Sequence, residues 1–140
     1  KNPDQGCERS GRTKNSYCFD TGDTRSNVQL QLTVLHTVWL RHHNQIADVL
    51  SEINPQWSDE KLFQETRRIV AAMIQHITYN EFLPIVLGQN AMSFYKLTVL
   101  RNGFTTYDSN VNPSIISEFS TAAFRFGHSL INGKFPSHMP

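Results

Sequence analysis

The sequence predicts an all-α protein, and three observations lead to that fold class. Apolar residues recur every three or four positions along two long segments, which is the pattern of amphipathic helices. Proline or glycine stands close to the end of three of the four predicted helical segments, where such residues stop helices. No segment shows a convincing strand pattern, so helices alone are expected to build the fold.

The first helix is predicted from about Val28 to Ile53, after a polar, turn-rich stretch over residues 1–22. Asn54-Pro55 ends it, because proline lacks the helical N–H and disfavours helical geometry in the residue before it. The positions that repeat at three- and four-residue spacing are Leu32, Leu35, Trp39, His43, Ile46 and Leu50.

The second helix is predicted from Asp59 to about Thr78. Ser58 supplies an N-cap oxygen, and acidic residues follow it at the positive end of the helix dipole. A shorter helical segment over residues 80–87 is expected next, interrupted by Pro84 and closed by Gly88.

Residues 89–113 are predicted to form an ordered loop, because asparagine, glycine, aspartate, serine and proline are frequent there. A last helix is expected from about Ile115 to Ile131, capped by Ser114 and stopped by Asn132-Gly133.

Composition describes an ordinary globular chain. Its 140 residues are 39% hydrophobic and 18% charged, and the formal net charge is +1. This balance gives no electrostatic reason to expect nucleic acid or an anionic membrane as partner, and no apolar run approaches the roughly 20 residues of a membrane span. The two long helices are apolar over more than one stripe, which favours helices packed inside something larger than a four-helix domain.

The two cysteines, Cys7 and Cys18, enclose a polar, turn-like segment. From the residues alone they are compatible with a disulfide, two free thiols or half of a metal site. Zinc is not favoured, because no second pair of cysteines or histidines with zinc spacing lies nearby.

Arg25 and His128 are the candidate functional residues, although neither is distinctive by itself. An arginine in a polar loop is most often a surface residue, and a single histidine on an apolar helix is most often a core or capping residue. Their surroundings are more specific: Gly22-Asp23-Thr24-Arg25, the segment Leu32-Thr33-Val34-Leu35-His36-Thr37-Val38-Trp39-Leu40-Arg41-His42-His43-Asn44, and Phe124-Arg125-Phe126-Gly127-His128-Ser129-Leu130.

Together these stretches resemble the animal haem peroxidases, the peroxidase–cyclooxygenase superfamily that includes peroxidasin and myeloperoxidase. The resemblance covers nearly everything from Cys18 to Ile131 and implies the central helical portion of a mainly α-helical fold. It implies a haem b cofactor with His128 as the proximal iron ligand, Arg25 as the distal arginine and Arg125 as the partner of a haem propionate.

The same resemblance implies a secreted peroxidase that reduces hydrogen peroxide and oxidises a small-molecule or protein side-chain donor. It implies a Cys7–Cys18 disulfide, which suits an oxidising compartment. Residues 1–140 are then a partial domain. In the family the distal histidine and the calcium-binding loop lie upstream of the matching region, and an asparagine that orients the proximal histidine lies downstream. The 140 residues alone are therefore expected to be inactive.

Three positions depart from the family pattern. Val28 stands where many members have a glutamate that is esterified to haem, and Gln29 stands where a methionine–haem link is found, so both covalent links are expected to be absent. His42 replaces an acidic residue. The lost glutamate at Val28, together with the distal half that lies outside this chain, supports an alternative, a truncated homologue that binds no haem and serves as an extracellular binding or matrix protein.

The other histidines are assigned structural roles. His36 and His43 are expected to be buried and hydrogen-bonded, His42 exposed, and His76 structural. Their spacing along the first two helices does not suit a shared metal ion.

Overall fold

The computed structural model describes residues 18–105 and 107–134, and within these residues it is helical with no strand. The all-α prediction is therefore confirmed. The chain divides into two compact units, one ending at Val99 and the other beginning at Leu100. No helix in the described part of the chain is long and apolar enough to cross a membrane.

Helix α1 spans Leu30–Ile53 and begins two residues later than predicted. Gln29 has extended backbone angles (φ −145°, ψ 140°), and its side-chain Oε1 accepts a hydrogen bond from the Leu32 N–H at 3.1 Å. This side chain satisfies one of the N–H groups that a helix start leaves unpaired. At the other end the Asn54 N–H donates to the Leu50 carbonyl at 2.9 Å, and Pro55 follows, as predicted.

Helix α2 spans Asp59–Ile77 and packs against α1. The predicted cap is confirmed, since Ser58 Oγ accepts from the Lys61 N–H at 3.4 Å. Thr66 is fully buried, and the rings of His43 and Phe63 lie 5.4 Å apart between the two helices. The α1–α2 hairpin is the main packing contact of the first unit.

The chain stays helical beyond α2, as predicted for residues 80–87, but without the interruption expected at Pro84. Thr78–Phe82 forms a π-helical turn, closed by a bond from the Leu83 N–H to the Thr78 carbonyl, and α3 continues over Leu83–Phe94. Pro84 therefore lies in the first turn of α3, directly after the π-helical turn, and the helix continues through it.

Gly88 was expected to close the segment, but α3 continues past it. Its backbone angles (φ 76°, ψ 159°) produce a kink, after which the helix resumes, so the predicted loop is wrong over residues 89–94. The end of α3 is a Schellman motif: the Leu97 N–H donates to the Met92 carbonyl at 2.9 Å and the Lys96 N–H to that of Ser93 at 3.2 Å.

The second unit contains a short helix α4, Ser117–Thr121, and a 3₁₀ helix, Ala123–Leu130. The single helix predicted from Ile115 to Ile131 is wrong, because Ala122 (φ −130°, ψ −69°) interrupts it. Ser114 is not the cap, since its N–H donates to the Asn112 side chain at 3.0 Å and the helix starts after Ile116.

Little apolar surface is buried in the part of the chain that the structure describes. Met92 is its one buried apolar side chain, whereas large apolar residues on α1 such as Leu40 and Ile53 are 60% and 69% exposed. Exposed apolar faces of this extent are typical of helices that pack against further elements, as the sequence predicts for these helices.

The kink at Gly88 yields a stability prediction. Its φ and ψ fall in a region that residues with a Cβ rarely adopt, so Gly88→Ala should lower the free energy of unfolding by about 1–3 kcal/mol. Urea denaturation measures this change. Gly22→Ala is the matched control. At both glycines no atom lies within 4 Å of an added Cβ, but of the two only Gly88 has a positive φ. Equal losses of stability in both variants would contradict the strain assigned to Gly88.

Candidate functional site

Arg25 lies in the turn that precedes α1 and forms a two-armed ion pair with Asp23. Its Nε donates to Asp23 Oδ1 at 3.0 Å and its Nη2 to Oδ2 at 2.8 Å. The Arg25 backbone N–H also donates to Oδ1, at 2.8 Å. Asp23 is therefore both the acceptor of an Asx-turn and the carboxylate of a bidentate arginine pair.

This ion pair changes the protonation of both partners. Hydrogen bonds from the Arg25 side chain, and then from its backbone N–H, hold the pKa of the Asp23 carboxyl well below its ordinary value of 3.8. The Asp23 carboxylate in turn raises the pKa of Arg25. The pair is therefore fully charged throughout the neutral range.

Hydroxyl groups attach the turn to α1. Thr21 Oγ1 donates to the Asp23 carbonyl at 2.6 Å and also contacts Ser26 Oγ. Ser26 is 1% exposed, and its carbonyl accepts from Thr33 Oγ1, in the first turn of α1, at 2.7 Å. The turn that carries Arg25 is thus fixed to a helix on one side and to Thr21 on the other.

A cavity of about 380 Å³ lies between this turn and α1. Its lining includes Thr21 and Gly22 from the turn and His36, Leu40 and Arg41 from α1. Arg25 is not among the lining residues, and its side chain is 79% exposed.

Of the histidine predictions for α1, that for His42 is wrong and those for His36 and His43 hold in part. His36 was expected to be buried but is exposed on α1, with Nδ1 2.7 Å from the Leu32 carbonyl. His42 was expected to be exposed but is half-buried, with its ring 6.2 Å from that of Trp39. His43 is half-buried; its Nε2 is enclosed and has no hydrogen-bond partner among the described residues. α2 packs against one side of α1 and covers the residues there. The apolar periodicity of α1 does not show which side this is.

His128 lies in the 3₁₀ helix of the second unit, with Nδ1 3.0 Å from the carbonyl of Arg125. A carbonyl oxygen accepts hydrogen bonds and cannot donate them, so in the neutral imidazole this contact favours the tautomer with the proton on Nδ1. Nε2 then carries a lone pair, and the side chain is exposed. A neutral imidazole with its second nitrogen held in this way is suited to bind a metal ion.

Arg125 stands in the same row of the 3₁₀ helix as His128. Residues three apart eclipse each other in this type of helix, so the two side chains leave the same side of it. Arg125 Nε donates to the Ser120 carbonyl at 3.3 Å, and no carboxylate in the described residues pairs with its guanidinium. The remaining N–H groups are available for an anionic ligand.

This donor set fits a haem. A histidine nitrogen is one of the protein ligands that hold haem iron, and His128 offers one; among the described residues no three histidine, cysteine or acidic side chains lie together as a separate metal site. At Gly127, next to the imidazole, an added Cβ would meet no atom within 4 Å. The second unit thus combines an imidazole donor with a guanidinium that no carboxylate of the described residues pairs.

The described residues are α-helical, and His128 among them is a candidate ligand of a cofactor; comparison with known proteins identifies the class of protein. The sequence model of the family described as animal haem peroxidase matches residues 1–139. The chain therefore belongs to the animal haem peroxidase family.

Several characterised proteins are similar to this chain. Chorion peroxidase of Drosophila melanogaster is 52% identical over 84% of the chain, peroxidasin of the same organism 42% over 90%, and human myeloperoxidase 45% over 91%. The chain spans 15%, 8% and 16% of the lengths of these relatives, respectively. The family resemblance predicted from the motifs is thus confirmed.

The predicted site residues belong to different units of the structure. His128 and Arg125 come together in the second unit, whereas Arg25 lies in the first. Cys7 lies outside the described residues, so the Cys7–Cys18 disulfide stays a prediction. Sequence analysis did not single out Asp23 as the partner of Arg25, although an aspartate two positions before another residue is a common signal for an Asx-turn.

The depressed pKa of Asp23 predicts that the ion pair survives in acid. Because the folded-state pKa lies below the unfolded value, the pair contributes stability above about pH 3.8 and loses it as the pH falls through the folded-state pKa. Carbon-13 NMR of the Asp23 carboxyl should show a midpoint below 3.8. In Arg25→Gln the midpoint should rise, since the largest cause of the shift is removed; an unchanged midpoint would refute this explanation.

Proposed function

We propose that this chain is the central part of a secreted haem peroxidase, which reduces hydrogen peroxide and oxidises a donor substrate. The observation that carries the proposal is the orientation of His128, whose Nδ1 faces a backbone carbonyl and leaves Nε2 as an electron-pair donor. Membership of the animal haem peroxidase family supports the same function.

His128 is the proposed proximal ligand of haem iron, through Nε2. When bound, haem supplies the redox chemistry by accepting oxidising equivalents from peroxide and passing them to the donor. The contact between Nδ1 and the Arg125 carbonyl restricts rotation of the ring. In its neutral form His128 therefore offers Nε2 as the proposed ligand atom.

Arg125 is the proposed partner of a haem propionate. Its guanidinium has no carboxylate partner in the described residues, and a planar guanidinium pairs well with a carboxylate. The eclipsed positions of Arg125 and His128 place both contacts on one edge of the 3₁₀ helix. One short segment would then bind the cofactor at its metal and at its periphery.

Arg25 is the proposed distal arginine. Cleavage of the peroxide O–O bond develops negative charge on the leaving oxygen, and a fixed guanidinium stabilises that charge. Arginine is charged at every physiological pH, and the Asp23 carboxylate raises the pKa of Arg25 further. Proton transfer to the leaving oxygen is assigned to a histidine outside this chain.

No ester or sulfonium link to haem is expected from the start of α1. Val28 has no carboxylate, and the Gln29 side chain is occupied as the cap of α1. Retention of haem would then depend on His128, on Arg125 and on packing within the full-length protein. The donor is proposed to be a small molecule or a protein side chain, and calcium is proposed to bind outside this chain.

Replacement of His128 tests the cofactor assignment. In the full-length protein, His128→Ala should abolish haem retention, because the iron loses its protein nitrogen. Absorbance in the Soret region, recorded together with protein mass on a sizing column, measures this loss. His76→Ala is the control, since His76 lies exposed on α2. A full-length protein that elutes without haem absorbance before any substitution would instead support a binding or matrix protein.

Replacement of Arg25 tests the role in peroxide cleavage. Arg25→Gln should retain haem but slow the reaction with hydrogen peroxide by about 10²–10³-fold, as the loss of a charge-stabilising donor does in other enzymes. Stopped-flow absorbance gives the second-order rate constant. Arg67→Gln, at an exposed position on α2, should leave it unchanged, and equal rates in the Arg25 variant and the wild type would refute the assignment.

A further inference from the structure

We propose that Asp23 is a positioning residue, which holds the guanidinium of Arg25 in the one orientation that reaches the peroxide. This inference rests on the proposed function of Arg25 and adds a second residue to it. Three hydrogen bonds of 2.8, 3.0 and 2.8 Å join Asp23 to Arg25, two from the guanidinium and one from the backbone N–H.

The division of donors within the guanidinium supports this role. Arginine has five N–H donors in a rigid plane. The carboxylate occupies the edge formed by Nε and one N–H of Nη2. Nη1 and the second N–H of Nη2 lie on the remaining edges of the planar guanidinium, so the pair with Asp23 determines where those donors point.

Exposure of the pair argues against a role in stability alone. The side chains of Arg25 and Asp23 are 79% and 40% exposed, and ion pairs this accessible contribute little to the free energy of folding. Orientation is the larger effect, because a long side chain without a partner samples many rotamers and presents its donors to a reactant only part of the time.

Asp23 is itself held in place, as a positioning residue requires. Its carbonyl accepts from Thr21 Oγ1 at 2.6 Å, and three residues later Ser26 is buried and bonded to Thr33 of α1. The Asp23 carboxylate therefore lies in a turn that is hydrogen-bonded to α1. Because this turn is fixed, the ion pair restricts the position of the Arg25 guanidinium as well.

The structure separates two roles of Asp23 that substitutions can distinguish. One is the Asx-turn, in which Oδ1 accepts from the Arg25 backbone N–H; the other is the paired carboxylate that faces the guanidinium. Asp23→Asn keeps an oxygen for the turn but places an amide NH₂ opposite Nη2, where two donors face each other. Asp23→Glu keeps the carboxylate but, with one more methylene, does not preserve the turn.

The test uses the full-length, haem-containing protein. Asp23→Asn should retain haem, slow the second-order reaction with peroxide by about ten- to a hundredfold, and expose Arg25 to faster modification by phenylglyoxal, measured by peptide mass spectrometry. Asp23→Glu should recover part of the rate. If Asp23 serves the turn alone, Asp23→Asn behaves as wild type in both measurements and Asp23→Glu is the impaired variant, which would overturn the proposal.

A double substitution separates failure of this inference from failure of the proposed function. If Asp23 acts through Arg25, the Asp23→Asn/Arg25→Gln protein should react no more slowly than Arg25→Gln alone. Wild-type rates in Arg25→Gln itself would refute the distal role of Arg25. A slow Arg25→Gln with an unimpaired Asp23→Asn would refute positioning only. Should Asp23→Asn fail to retain haem, Asp23→Ser, whose hydroxyl can still accept in the turn, takes its place in both measurements.

Discussion

The attachment of the Arg25 turn to α1 is the constraint on which the candidate chemistry of the first unit depends. Ser26 is buried between the hydroxyls of Thr21 and Thr33, and this small polar cluster determines where the chain enters the helix. Without this cluster, the Asx-turn at Asp23 would be only one of the conformations that an exposed loop can adopt. With it, the direction of a long and exposed arginine side chain follows from the position of a helix.

A different constraint acts in the second unit. The break at Ala122 changes the helix type from α to 3₁₀, and the tighter winding aligns Arg125 with His128. The same winding brings the Arg125 carbonyl to Nδ1 of the imidazole. A proposed anion-binding group and a proposed metal-binding group are therefore coupled through four consecutive residues, without help from a distant element.

Local signals predicted much of this fold because they act within one turn of the chain. Ser58 caps α2 and Asn54-Pro55 ends α1, as their chemistry requires. The wrong predictions concern helix boundaries that no particular residue type marks. Pro84 suits both the interruption and the start of a helix, and Ala122 has no side chain that marks a break.

The same limit of prediction from sequence applies to the candidate site. Motifs identified Arg25, Arg125 and His128, and family membership confirmed the resemblance on which they rest. The partner of Arg25 and the tautomer of His128 required coordinates, since each depends on the direction of one side chain relative to a backbone atom. The exposure of His36 and partial burial of His42 depended on which side of α1 meets α2, and apolar periodicity around a helix that is apolar on several sides does not determine this.

The π-helical turn at Thr78–Phe82 has a consequence for how the chain tolerates changes in length. A π-helical turn accommodates one residue more than an α-helical turn, and each residue of an α-helix rotates the following side chains by about 100°. Removal of a single residue between α2 and α3 could therefore be absorbed as a regular α-helix, in which every backbone hydrogen bond is made except the one that Pro84, which has no N–H, cannot donate. The apolar side of α3, including the buried Met92, would then point in a different direction. Chain length at this junction thus sets the direction in which α3 presents its side chains, independently of the residues it contains.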